Sequence, residues 1–229
     1  MFKIILWDID NTLLDFNAAE AYSLKRRFEE FFLGECSDDA VARYNKINIK
    51  YWEMLEKGEM AKSEILEARF KEFFSTENIA FNRVKEFNEA YENGIADKIF
   101  FNENGFEIVE SLKGKYLQYA VTNGSYSVQS VRLEKSGFER LFDGAFISDS
   151  VGYEKPSKEF FSYVLSHIPP VDRSEVLIVG DSLTSDMLGG YNAGIKCCWY
   201  NPQKNINSKR VKIDYEILRL GEIFDVLEN

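Results

Sequence analysis

The feature that most constrains this chain is an alternation that begins near residue 99 and runs to the C-terminus. "LQYAVTNG" (117–124), "GAFISDS" (144–150), "EVLIVGDS" (175–182) and "IKCCWYNP" (195–202) are short apolar runs of strand length. Around them lie "GFEIVESLKGK", "SYSVQSVRLEKSGF" and "PSKEFFSYVLSHI", whose apolar residues recur at three- and four-residue spacing. Strands alternating with helices imply right-handed crossovers, and hence an α/β fold with a doubly wound parallel sheet. Pro156 suits the first turn of the last of these helices. A weaker strand, "KIDYEI" (212–217), precedes a short final helix.

The N-terminus supplies one more strand. Phe2 to Trp7 is apolar except for Lys3, too continuous to have a wet face, as expected inside a parallel sheet covered on both sides. It ends in Asp8 and Asp10. Residues two apart in a strand share a face, so the two carboxylates aim together if the extended conformation persists that far. Side by side they repel, and one is protonated unless a cation sits between them.

Residues 17–96 follow a different rule. Leu24, Phe28 and Phe31 recur at helical spacing, as do Leu66, Phe70 and Phe73, and Val84, Phe87 and Tyr91. The reading is an all-helical block of four helices, inserted after the first strand of a core made of residues 1–16 and 97–229. Its aromatics, Tyr44, Tyr51, Trp52, Phe73 and Phe74 among them, are expected in its core rather than against a ligand. Hinges are expected near residues 15–18 and 92–98, where Asn17 and Gly94 fall.

Composition excludes several classes of function. A formal charge of -10 argues against nucleic-acid or anionic-membrane partners, though a few local cations can still make one cleft attractive to a small anion. No run approaches the ~18 apolar residues of a membrane span, and the first apolar run is too short for a signal peptide, so a cytoplasmic protein is expected. Three cysteines without metal-ligand spacing read as free thiols. The one histidine, His167, sits at an apparent helix end and reads as structural or solvent-facing. With one histidine, acid–base work falls to carboxylates.

In an open parallel sheet, ligands bind outside the carboxyl ends of the strands. There the sequence places Asp8 and Asp10, Thr122-Asn123-Gly124, Glu154-Lys155-Pro156, and Gly180-Asp181-Ser182 with Asp186 beyond. Each alone has a bland reading: a strand end, a surface lysine, a turn with a helix cap. Together, in this order, D-I-D-N-T (8–12), T-N-G (122–124), E-K-P (154–156) and G-D-S-L-T-S-D (180–186) resemble the four motifs of haloacid dehalogenase-superfamily hydrolases. The helical block resembles that family's inserted cap domain. Asn11 departs from the family's usual glycine, but Asn tolerates left-handed backbone.

The resemblance implies a phosphatase. Asp8 is then the nucleophile, forming an aspartyl-phosphate, and Asp10 the general acid and base. Mg²⁺ is the implied cofactor, held by Asp8, the Asp10 backbone carbonyl and Asp181, with Asp186 holding metal-bound water or orienting Lys155. Thr122, Asn123 and Lys155 are the implied phosphate binders. The family's dehalogenases lack the second motif-I aspartate, so Asp10 favours phosphate over halide. A receiver domain, which also carries an acceptor Asp, a Thr and a Lys, has no helical insertion of this size. The run L-G-G-x-N-A-G followed by C-W-x-N (188–201) resembles the bacterial pyrimidine 5′-nucleotidase branch. The expected substrate is a nucleoside 5′-monophosphate, pyrimidine preferred; the alternatives are a phosphosugar mutase and a phosphoglycolate-type phosphatase.

Overall fold

The computed structural model describes residues 1–228. The chain forms two compact units, one of Met1–Asp15 with the chain from Phe100 onward, the other of Phe16–Ile99.

The first unit is built on a six-stranded, wholly parallel sheet: β1 (Ile4–Trp7), β2 (Leu117–Thr122), β3 (Gly144–Ile147), β4 (Val176–Gly180), β5 (Lys196–Tyr200) and β6 (Tyr215–Ile217). Their order is β3-β2-β1-β4-β5-β6. β1 is therefore central, paired with β2 (Ile4 with Leu117) and with β4 (Ile4 with Val176). All four β1 side chains are fully buried. Ile4 and Leu6 join Val121, Ile178, Phe160 and Phe161 in one core, while Ile5 and Trp7 face the other side of the sheet. A strand buried on both faces needs no polar alternation, which is why this run reads as continuous apolar sequence. The Trp7 indole N–H donates to Gln118 Oε1 (3.0 Å), and Gln118 Nε2 donates to the Val109 carbonyl (2.9 Å), so these buried polar groups are satisfied.

The second unit is four helices, α1 (Phe16–Glu30), α2 (Asp38–Glu56), α3 (Lys62–Thr76) and α4 (Val84–Ile95). α1 packs along α4 and α2 along α3. Its centre is aromatic: Tyr44 stacks on Phe70 with centroids 4.8 Å apart, and Phe87 meets Phe70 edge-on at 5.0 Å. Tyr44, Phe73 and Phe74 are core residues, as expected, whereas Tyr51 and Trp52 are only half-buried. Asp97 pairs with Arg27 (3.3 Å) and Lys98 lies over the Tyr22 ring (5.8 Å), which ties 97–98 to this unit. Gly94 is closely packed: a Cβ there would lie 2.3 Å from Ser23 Oγ, itself donating to the Tyr91 carbonyl (2.7 Å).

The remaining helices belong to the sheet unit: α5 (Gly105–Leu112), α6 (Tyr126–Ser136), α7 (Ser148–Val151), α8 (Lys158–His167), α9 (Leu188–Ala193) and α10 (Ile223–Glu228). Pro156 lies outside the first turn of α8. Ser157 is the cap, accepting from the Phe160 N–H (3.2 Å), and Pro156 stands just before it. His167 is exposed and stacks on Tyr163. The three cysteines are free and buried, and burial pushes the Cys36 thiol up to about 11 and the Cys197 thiol to about 12. Among the described residues no helix is long and apolar enough to cross a membrane.

One polar network lies inside the helical unit. The buried Glu20 carboxylate accepts from Asn48 (2.7 Å), Asn45 (3.0 Å) and the Tyr91 hydroxyl (3.1 Å). Buried Arg69 donates to Asn48 (2.9 Å) and Asn88 (2.9 Å). Burial raises the Glu20 carboxyl above its ordinary value, and these donors with the Arg69 charge oppose the rise. Removing Glu20 leaves the buried Asn48 and Tyr91 donors without their acceptor and Arg69 with only the Glu92 carboxylate (3.5 Å). Glu20→Ala is therefore expected to cost about 3 kcal/mol, the range for breaking a buried ionic network, in urea unfolding followed by circular dichroism. A cost below about 1 kcal/mol would mean the network is not dry.

Candidate active site

The strand order reverses at β1: the chain runs outward through β2 and β3, then returns to place β4 on the other side. This is the topological switch point of a doubly wound sheet, where adjacent strand ends diverge and leave a crevice. Asp8 leaves β1 and Asp181 leaves β4 at that point.

The Asp8 N–H still bonds the Val179 carbonyl (2.9 Å), and Asp10 forms an isolated bridge with Leu14. The chain turns there, with Asn11 at φ 60° and the Leu13 N–H bonded to the Ile9 carbonyl (3.0 Å). The two carboxylates consequently have separate partners. Asp8 Oδ1 accepts from Lys155 Nζ (2.7 Å) and Oδ2 from the Thr12 hydroxyl (2.9 Å). Asp10 Oδ1 is ion-paired to Arg132, and its Oδ2 accepts from Gln129 Nε2 (2.5 Å). Each aspartate thus has a side-chain cation of its own beside it, Lys155 at Asp8 and Arg132 at Asp10.

Lys155 is buried and its ammonium makes three bonds, to Asp8, to Asp186 Oδ1 (2.7 Å) and to the Val121 carbonyl (2.9 Å). Its backbone is gripped by one side chain: Asn123 Nδ2 donates to the Lys155 carbonyl (2.8 Å), and Asn123 Oδ1 accepts from the Lys155 N–H (2.7 Å). Thr122 ends β2 with its hydroxyl oxygen accepting from the Gly124 N–H (3.2 Å) and Gln129 Nε2 (2.8 Å). Asp186 sits in a tight π-helical turn, Leu183–Met187, capped by Ser182, whose Oγ accepts from the Ser185 N–H (3.1 Å). A Cβ at Gly180 would lie 2.3 Å from Asp186 Oδ2 and 2.4 Å from its Cγ, so glycine is required there. The Asp181 carbonyl is fixed by the Trp199 indole N–H (2.8 Å).

Carboxylate oxygens of Asp8, Asp181 and Asp186 all lie within 4.8 Å of one another. Asp10 is not one of the three; its carboxylate is held by Arg132 and Gln129. Burial, and then the Asp186 charge, push the Asp8 carboxyl up to about 7 despite Lys155. Burial, then Asp8 and Asp186, raise Asp181 well above the usual carboxylate range. Burial would lower the Lys155 ammonium, but Asp186 and Asp8 outweigh it and hold it above its ordinary value. Three crowded carboxylates facing one ammonium have the charge and the oxygen-only donors that suit a hard dication.

All seven residues expected from the sequence lie at this sheet edge. Thr12, Gln129 and Arg132 were not anticipated. The available signal for the last two was a Q-x-x-R step on a helix whose inward face is otherwise apolar: Gln129 and Arg132 share that buried face with Val128 and Leu133.

Fold and site together define a hydrolase of a known kind. Residues 5–200 match the haloacid dehalogenase-like hydrolase family, and the chain belongs to it. Over 99% of its length it is 34% identical to the HAD-hydrolase YfnB of Bacillus subtilis, covering 95% of that protein. The crystal structure of YfnB bound to magnesium superposes with a TM-score of 0.94, covering 100% of this chain and 99% of that one. The pyrimidine 5′-nucleotidases PynA of Streptococcus pneumoniae and YjjG of Escherichia coli are 32% and 30% identical, over 99% and 97% of this chain and 95% and 96% of theirs.

Because the room for Asp186 exists only while residue 180 lacks a Cβ, Gly180→Ala should expel Asp186 and free Lys155. Its loss of kcat is expected to match that of Asp186→Ala, and the double variant to be no worse than either by more than about threefold, as for residues acting as one unit. Gly180→Ala with activity near that of the parent would sink this account of the site.

Proposed function

We propose that this chain is a Mg²⁺-dependent phosphatase that hydrolyses small phosphate monoesters through an aspartyl-phosphate, with pyrimidine nucleoside 5′-monophosphates as its preferred substrates. The observation that carries the reading is the pair of aspartates with separate roles: Asp8 within the Lys155–Asp181–Asp186 group, Asp10 apart from it on Arg132 and Gln129. Mg²⁺, when bound by Asp8, Asp181, the Asp10 carbonyl and, directly or through water, Asp186, neutralises the negative charge that phosphate and carboxylates share.

The rest is done by the chain's own groups. Asp8 attacks phosphorus, the ester P–O bond breaks, and Asp10 gives a proton to the departing oxygen. Water then attacks the phosphoryl group, Asp10 takes its proton, and Asp8 is released with inorganic phosphate. Lys155 and Thr12 hold the Asp8 carboxylate at both oxygens, which fixes its plane for attack. Both lone pairs of Thr122 are engaged by N–H donors, so its hydroxyl has its own hydrogen to give to a phosphate oxygen. The substrate assignment draws its support from PynA and YjjG, and from the 188–201 run.

Asp8→Asn is expected to abolish turnover while substrate still binds in the presence of Mg²⁺; activity within about tenfold of the parent would refute the covalent route. EDTA should silence the enzyme and added Mg²⁺ restore it. Across dUMP, dTMP, UMP, purine monophosphates, phosphoglycolate and glucose phosphates, kcat/KM is expected to be highest for the pyrimidine nucleotides. A phosphosugar or phosphoglycolate ahead of every nucleotide by about tenfold, some 1.4 kcal/mol in transition-state binding, would remove the nucleotidase reading and leave the phosphatase chemistry.

A further inference from the structure

α6 spends two fully buried positions on polar side chains. Gln129 and Arg132 are each at most 2% exposed, on a face otherwise given to Val128 and Leu133. Burying an amide and a guanidinium is costly unless each is paired, so what they bond is informative. Arg132 Nη1 pairs with Asp10 Oδ1 and also donates to Gln129 Oε1 (3.1 Å). That contact fixes which way the Gln129 amide points, because its oxygen must face the guanidinium. Its Nε2 is then the donor that reaches both Asp10 Oδ2 (2.5 Å) and Thr122 Oγ1 (2.8 Å). The opposite amide orientation would set an oxygen against a carboxylate.

A second observation is independent of these bonds. A Cβ at Gly124 would lie 2.5 Å from both Cγ and Nε2 of Gln129. The T-N-G turn lacks a side chain where Gln129 crosses it, so the crossing is built into two separate segments of the chain.

From this geometry we infer that Gln129 and Arg132 are positioning residues that present Asp10 as a hydrogen-bond acceptor, the form that takes a proton from water when the phosphoenzyme is hydrolysed. The inference rests on the acid–base role proposed for Asp10. Each Asp10 oxygen receives one donor, which leaves each a further lone pair with which to accept. The step that suffers when Arg132 is removed is therefore the second one, in which the water O–H bond breaks toward Asp10, the new P–O bond forms and the acyl P–O bond to Asp8 opens. The first step, attack by Asp8, does not need Asp10 as an acceptor.

The test is Arg132→Met beside Asp10→Asn, with dUMP and p-nitrophenyl phosphate, in steady state and by rapid quench. For Arg132→Met, kcat is expected to fall at least about tenfold, a part of the ~10²–10⁴ that acid–base catalysis supplies. KM should fall with it, so that kcat/KM stays within about threefold of the parent, since chemistry after the first irreversible step alone is slowed. Both substrates should then share one kcat, and a burst approaching one leaving group per chain should appear with covalently trapped phosphate. A merely structural role would lower kcat/KM as much as kcat and give no burst; that result, or an unchanged kcat, overturns the inference. Asp10→Asn separates the two levels. If it loses turnover while Arg132→Met shows no burst, the role of Asp10 stands and the inference falls; if it keeps kcat within about threefold of the parent, the role of Asp10 falls and the inference with it. Should Arg132→Met melt far below the parent, Arg132→Gln, a shorter side chain that is polar but uncharged, carries the same expectation.

Discussion

One ammonium group holds the catalytic end of the sheet together. Lys155 Nζ reaches Asp8 beyond β1, the Val121 carbonyl in β2 and Asp186 beyond β4, three segments far apart in sequence that meet at the switch point. A buried charge with three bonds in good geometry cannot be moved without leaving a carboxylate unpaired, which is among the larger penalties a core can incur. The supporting contacts follow from it. Asn123 grips the Lys155 backbone so the side chain starts from a fixed point, and Gly180 clears the space for Asp186. Burial, and after it the neighbouring carboxylates, raise the Asp8 and Asp181 carboxyls, and the lysine offsets only part of that rise.

Two aspartates one residue apart are given different surroundings by a single turn. Asn11, directly after Asp10, takes the left-handed backbone that the turn demands, and of the two carboxylates before it Asp8 is bonded to Lys155 and Asp10 to α6. Division of labour between like groups is usual where one must attack and the other must move protons. In the proposed mechanism these are the parts of Asp8 and Asp10, and their separate partners suit it.

The fold was largely legible because its signals were local and redundant. Continuous apolar β1 and β4, helical spacing between them and the aromatic periodicity of residues 17–96 each point to one arrangement. The positions of Asp8, Lys155 and Asp181 were legible because strand ends of a parallel sheet gather at one edge. What escaped was of another kind. Which partner each of the two aspartates takes depends on tertiary contacts, and the place of Pro156 on Ser157 taking the cap. That Gly94 is closely packed against the Ser23 hydroxyl is likewise a tertiary fact. Arg132 was hidden most thoroughly: an arginine in a helix reads as solvated until the helix is seen to turn it inward.

The placement of β1 also sets a schedule. Its partners β2 and β4 begin at Leu117 and Val176, whereas the four helices between Phe16 and Ile99 have their neighbours within one continuous stretch. On a ribosome adding about 5–20 residues each second, β1 waits roughly 10–35 s for β4 to be made. Through that interval Ile4, Ile5, Leu6 and Trp7, all of them fully buried in the finished sheet, have an unpaired backbone edge. The segment that carries the first two carboxylates of the site is thus synthesised long before the strand that encloses it, so a nascent chain of this protein has a sticky strand to shelter well before the candidate site is assembled.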